Sequence, residues 1–200
     1  MTIKKIVITG GPCGGKSTAL EWIKNAFSKQ GYTVLFASET ATDLITGGVA
    51  PWTCGTNAEY QCCQLTLQLE KERVFLRAAK SMPKEKILIV CDRGSLDNKA
   101  YMTAEEFATV LQEKGLTEEG MLSDYDAVFH LVTAAKGAAE FYTTANNSAR
   151  KETAAQAAVL DDKVIEAWSK HPHFYIIDNS TNFQDKMQRL VDEMAKFLQQ

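Results

Sequence analysis

The sequence predicts an α/β protein in three layers, a five-stranded parallel sheet with helices on both faces. Three observations predict it. Five short runs are continuously apolar, the pattern of strands buried on both sides rather than one. Helix-patterned stretches alternate with those runs, as strand–helix–strand crossovers require. No internal repeat or low-complexity linker interrupts the 200 residues, so 1–200 is expected to fold as a single domain.

The elements follow in order. Residues 4–9 (KKIVIT) are a β-branched apolar run ended by glycines, hence a buried strand. Over 16–30, Leu20, Ile23, Ala26 and Phe27 keep helical spacing, and Gly31 stops the helix. A second strand is expected at 33–37. The long stretch 57–79 reads as a helix with Leu65, Leu69, Phe75 and Leu76 turned inward, and Pro83 separates it from a third strand at 86–91 (KILIVC). Thr103 and Glu106 form a capping box that opens a helix running to about Lys114, where Gly115 ends it. Residues 127–132 and 174–177 supply the last two strands. A polar, alanine-rich stretch at 151–168 lies between them, and 182–198 closes the chain with a helix. Residues 134–150 are the least regular piece, either an excursion over the carboxyl end of the sheet or an exposed loop.

Composition excludes several classes. Hydrophobic residues make up 45% and charged residues 24%, which is globular and not disordered. Lys and Arg number 22 against 25 Asp and Glu, a net charge of −3, whereas nucleic-acid binding favours a basic face. No apolar run approaches the ~18 residues of a membrane span, and residues 1–5 lead into a strand rather than a signal-peptide core. Five cysteines without zinc-ligand spacing are expected to be reduced, which points to the cytoplasm.

The most specific signal is Gly10-Gly11-Pro12-Cys13-Gly14-Gly15-Lys16-Ser17, which fits G-x-x-x-x-G-K-[ST] between a strand and an amphipathic helix. Such a loop turns backbone N–H groups onto phosphates, and the following helix adds its positive end. Gly11, Cys13, Gly14, Gly15, Lys16, Ser17 and Thr18 are therefore the expected nucleotide-binding residues. Lys16 would reach the β- and γ-phosphates, and its side chain is expected to face solvent when no ligand is bound. The Ser17 hydroxyl would ligate Mg²⁺. Cys13 is either a small side chain that fits or a thiol made oxidisable by the helix end.

A metal in such a site needs a carboxylate at the end of a neighbouring strand. Asp92 directly follows the third strand, with Arg93 beside it, so Ser17 and Asp92 form the expected metal pair; a strand-ending Asp paired with Arg93 is the plainer alternative. Glu39 follows the second strand. It is either a catalytic carboxylate or a helix-start acid near amide dipoles.

These positions resemble the P-loop kinases of nucleosides and nucleotides. A closer resemblance is to the kinase-like, AAA-type P-loop NTPase family that includes the nicotinamide riboside kinase domain of the bacterial NAD regulator and the nucleotide-binding domain of the TRPL translocation defect protein. It runs through GGPCGGKST at 10–18, ETAT at 39–42, DRGSLD at 92–97, HLVT at 130–133, EFYT at 140–143, NNSAR at 146–150 and IDN at 177–179. The resemblance implies an adenylate-kinase-like P-loop fold with a lid near 134–155. Arg150 would sit there and spread charge over the transferring phosphoryl group, unless it is a solvated surface arginine. Asn179 would approach the nucleotide base or cap the last helix.

The remaining features carry less. His171-Pro172-His173 reads as a surface turn, His130 as a satisfied interior histidine, and Cys62-Cys63 as core plus edge. Trp52 lines a pocket or anchors a loop. Residues 31–70 hold four acids and no Lys or Arg, which would suit a neutral or cationic acceptor better than a polyanion. The expected activity is ATP- or GTP- and Mg²⁺-dependent phosphoryl transfer to a small hydroxylated, nucleoside-like molecule, with Lys16, Glu39, Asp92, Arg93 and Arg150 catalytic. The alternative is a nucleotide-binding regulatory switch acting through a protein partner.

Overall fold

A computed structural model describes residues 1–138 and 153–199. Five strands, β1 (Thr2–Thr9), β2 (Thr33–Ala37), β3 (Lys86–Asp92), β4 (Ala127–Leu131) and β5 (Phe174–Ile177), form one sheet in the order β2-β3-β1-β4-β5. All four pairings are parallel, and Ile8 of β1 lies opposite Asp92 on one side and Phe129 on the other.

Residue alternation along the strands divides the core. Ile6, Ile8, Leu88, Val90 and Phe129 point to one face, where α1 (Lys16–Lys29) and α7 (Phe183–Leu198) cover them. Val7, Ile87, Ile89, Cys91 and Val128 point to the other. That face is covered by α3 (Asn57–Ser81), α4 (Ala104–Lys114), α6 (Ala154–Trp168) and the 3₁₀ helix Ser95–Tyr101. The chain thus has the expected three-layer α/β architecture.

The predicted capping box forms as read: Thr103 Oγ1 accepts from Glu106 N and Glu106 Oε2 accepts from Thr103 N, and Gly115 ends α4 with φ 62. The short helices α2 (Thr40–Thr46) and α5 (Glu118–Ser123) and the 3₁₀ helix were not expected, being too brief to show a helical period. The alanine-rich stretch resolves into α6, capped by Thr153 and Gln156.

One surface expectation fails. His171 is buried, with its Nε2 3.0 Å from the Tyr125 carbonyl oxygen and its ring edge-on to Trp168. His171 folds back under the end of α6, its backbone N–H donating to the Trp168 carbonyl, while Pro172 stays exposed. Cys62 is half-buried against the core and Cys63 exposed, so that pair is core plus edge. No helix among the described residues is long and apolar enough to cross a membrane.

β1 sits at the centre of the sheet. Its connection through α1 leaves toward β2, whereas that of β4 leaves toward β5. Ligands of open α/β sheets bind where neighbouring connections diverge in this way, at the carboxyl ends of the strands.

Candidate functional site

The loop after β1 turns at that point of divergence. At Gly10, φ is 142 and a Cβ would lie 2.1 Å from the Leu131 carbonyl oxygen of β4, so only glycine fits. Gly15 caps α1 with φ 93, a left-handed turn that aims the amides of the first helical turn into the loop. Cys13 shares the left-handed conformation with φ 58 and is half-buried. The far wall is β4 and its exit: Thr133 Oγ1 donates to the Pro12 carbonyl, and Ala134 N donates to the Cys13 carbonyl at 3.2 Å.

Lys16 does not face solvent. It is 7% exposed, and its Nζ donates to the Gly10 and Gly11 carbonyls at 3.2 Å each. The loop's own curvature thus brings two carbonyls within reach of the ammonium. Ser17 and Thr18 are exposed in the first turn of α1.

On the opposite side, β2 and β3 end together and bring Glu39, Asp92 and Arg93 into one group. Arg93 Nε donates to Glu39 Oε1 at 2.8 Å, and Nη1 donates to Asp97 Oδ1 at 3.1 Å and to the Gly10 carbonyl at 3.2 Å. One guanidinium therefore ties the phosphate loop to the acid after β2. Burial alone would raise the Glu39 carboxyl, but the Arg93 and Lys16 charges and the Thr42 hydroxyl outweigh it and hold it at about 2.

Asp92 is the counterpart. Its Oδ1 is buried without a hydrogen-bond partner among the described residues. Burial pushes its carboxyl above the usual range, even against the nearby Lys16 charge. A buried carboxylate oxygen starved of donors, across the loop from an exposed Ser17, fits a hard divalent cation. Mg²⁺ is commonly held by one or two carboxylates plus substrate phosphates rather than by an all-protein cage. No group of three or more His, Cys, Asp or Glu that could hold a metal alone exists among the described residues.

Several residues of this region escaped the sequence reading. Asp161 of α6 is fully buried; its Oδ1 accepts from Gly11 N at 2.8 Å and Thr133 N at 3.2 Å and lies 2.9 Å from His130 Nε2, and its Oδ2 accepts from Lys136 Nζ at 3.1 Å. Burial would raise its carboxyl, yet these donors hold it at about 2. Lys186 of α7 donates to the Gly14 and Val132 carbonyls and to Asn179 Oδ1, and burial lowers its ammonium to about 8. Asp97, which the sequence reading did include in DRGSLD, collects Thr9 Oγ1, Arg93, Gly94 N and Trp168 Nε1 and is thereby spent as a metal candidate. Gln68 of α3 accepts from Thr40 Oγ1 at 2.5 Å and donates to the Arg93 carbonyl at 3.3 Å.

A signal for two of these existed. Asp161 occupies the helical stripe of Ala157, Val164 and Trp168, and Lys186 that of Leu190 and Met194. A charge on an apolar stripe marks a side chain with a buried partner.

Asn179 lies after β5. Its Nδ2 donates to the Thr133 and Lys136 carbonyls at 2.8 and 2.6 Å, so it fastens the turn that follows β4. The cap of α7 is Asn182, whose Oδ1 accepts from Asp185 N, and not Asn179. Arg150 and most of the expected lid, 139–152, lie outside the described residues. Trp52 is 59% exposed in the loop before α3.

Comparison with known proteins gives one family match. A model described as an AAA domain matches residues 5–186, from β1 into α7. A search of curated proteins returns no match.

Proposed function

Since the chain belongs to the AAA-type family of P-loop NTPases, which bind nucleotide with Mg²⁺, we propose that it is an ATP-dependent kinase of a small hydroxylated, nucleoside-like molecule, built as one domain over 1–200. The observation that carries this reading is the Glu39–Arg93 pair, 2.8 Å apart, with Arg93 also bonded to the phosphate-loop carbonyl of Gly10. A carboxylate on the acceptor side and a cation on the phosphoryl side are thereby joined across the line along which transfer would run.

In this reading the loop amides from Cys13 to Thr18 hold the phosphates. Lys16 leaves the Gly10 and Gly11 carbonyls for the β- and γ-oxygens. Ser17 and Asp92 would hold Mg²⁺, which would supply neutralisation of the phosphate charge. Glu39, at about 2, is ionised at all working pH values and has little proton affinity. Its work is to accept a hydrogen bond from the acceptor hydroxyl, orient it, and take its proton late. Phosphoryl transfer through a loose transition state asks little more of a base. Arg93 and Arg150 would share the transferring charge, and Asn179 would present the β5 turn to the base.

A second reading, a nucleotide-dependent switch acting on a protein partner, draws on the Asp161–Gly11 bond, which joins the loop to α6. A phosphoryl-transfer screen with ATP and GTP against hydroxylated metabolites separates the two. A kinase turns over an acceptor faster than water; a switch shows slow hydrolysis and no acceptor. The cytoplasm follows as the compartment of a reduced, ATP-using enzyme.

A further inference from the structure

In the proposed reading the γ-phosphate faces Glu39, Asp92 and Arg93, on the β2–β3 side of the phosphate loop. The nucleoside then extends the other way, toward β4 and β5. β5 lies two strands from β1, about 10 Å at the usual strand spacing, a distance that a ribose and its base can bridge. There the chain leaves β5, turns through 178–182 and enters α7 with Phe183 as its first residue.

Phe183 is 49% exposed, yet its ring lies against the phosphate loop: a Cβ on Gly15 would meet two of its ring carbons at 2.7 and 3.2 Å. Lone exposed apolar side chains are common and need no explanation. This one flanks the residue that caps α1, the helix whose first amides aim at phosphate. Met187, one turn further along α7 and fully buried, backs the same spot, its Cε 3.6 Å from that Cβ position. The polar side chains of the 178–182 turn are already committed. Asn179 donates through Nδ2 to the Thr133 and Lys136 carbonyls and accepts from Lys186 at Oδ1. Asp178 Oδ1 accepts from Ser180 and from Arg189 Nη1, and Arg189 Nη2 donates to Thr181 Oγ1. Asn182 bonds Asp185 through both its oxygen and its nitrogen. A base edge seeking hydrogen bonds from these side chains would have to break bonds that build the turn. The face of a base needs only the ring.

We propose that Phe183 is the platform on which the base of the donor nucleotide stacks, and that the site takes purine nucleoside triphosphates by the face of the base, adenine and guanine alike. Stacking on an aromatic ring tolerates any base, because every base has a π-face. A site that reads an edge discriminates instead through buried groups that the wrong base leaves unpaired. The proposal rests on the phosphate-loop reading, is independent of the acceptor, and extends the proposed use of ATP to GTP.

The test titrates the full chain calorimetrically, in Mg²⁺, with non-hydrolysable analogues of ATP and GTP and with inorganic tripolyphosphate, which carries the phosphates without a base. The wild type should bind the two analogues within about tenfold of each other. Phe183→Ala should weaken both by about tenfold or more while tripolyphosphate stays within about twofold, and Phe183→Tyr should restore both. Phe183→Gln serves in the same way if the alanine variant fails to fold. Nucleotide affinities that ignore these substitutions, or a loss that tripolyphosphate shares, overturn the platform and leave the phosphate loop standing. A wild-type preference for one purine beyond about tenfold overturns recognition by the face. No binding of any of the three defeats the phosphate-loop reading, and the platform with it.

Discussion

Two buried aspartates at the carboxyl end of the sheet stand in opposite electrical situations. Asp161, on the β4–α6 side, is met by Gly11 N, Thr133 N, His130 and Lys136. Asp92, on the β3 side, has a buried Oδ1 with no partner among the described residues. The same side chain is held at about 2 in one place and pushed above its usual range in the other. Where donors converge, the carboxylate fixes the phosphate loop against its neighbours. Where they are missing, the proposed Mg²⁺ would supply the partner the carboxylate lacks. The β4 side continues the first pattern through Lys186 and Asn179, although His130 Nδ1 there is buried without a partner among the described residues.

The comparison breaks most visibly on Asp161→Ala. Three donors would be left buried, and losing one partner of such a cluster costs about 3–5 kcal/mol. At roughly 2–4 °C per kcal/mol for a chain of this length, Tm should fall by about 10 °C in a thermal melt. A fall under about 2 °C would mean that Asp161 does not hold the loop.

Asp92→Asn should move the other way. The variant removes a charge that the fold does not solvate, so the ligand-free protein should melt higher than wild type in a thermal scan. Mg²⁺-dependent turnover should nevertheless drop by about 10²-fold or more. Retained Mg²⁺ dependence would move the metal elsewhere. Asp97 is no substitute, because its oxygens are already taken by Thr9, Arg93, Gly94 and Trp168.

A pH series sharpens the contrast with a smaller effect. The Asp161 carboxyl is lowered from 3.8 to about 2, so its stabilisation is present above pH 4 and lost as pH falls toward 2. The Tm gap between wild type and Asp161→Asn should be constant near neutrality and narrow below about pH 4. For Asp92, raised on folding, the sign reverses: its penalty is absent at low pH and grows as pH rises through the carboxylate range. The gap between wild type and Asp92→Asn should therefore close from the opposite direction.

How much of this was legible in the sequence follows the same divide. The five strands, the phosphate loop, the α4 capping box and the positions of Glu39 and Asp92 were readable because each is written in consecutive residues. Asp161 lies 150 positions from Gly11 in sequence, and Lys186 lies 172 from Gly14, so no local pattern joins them. Each showed only as a charge on an apolar helical stripe. Lys16 was misplaced in solvent because its resting partners are carbonyls created by the loop's own curvature. His171 was misplaced on the surface because its burial depends on Tyr125 and Trp168, which proline and turn statistics do not register. The buried Gln61, Gln64 and Gln68 of α3 were hidden for a related reason, because glutamines at helical spacing look like a solvated face.

The central claim, that Glu39 serves an acceptor and not the nucleotide, is tested most directly by comparing phosphoryl transfer with background ATP hydrolysis in wild type and Glu39→Gln. A positioned carboxylate of low proton affinity should be worth the lower end of the general-base range, so transfer should fall by about 10²-fold. Hydrolysis, which does not use the acceptor side, should stay within about threefold of wild type, a difference near 0.6 kcal/mol. Transfer and hydrolysis falling together, or transfer that ignores the substitution, would contradict the account.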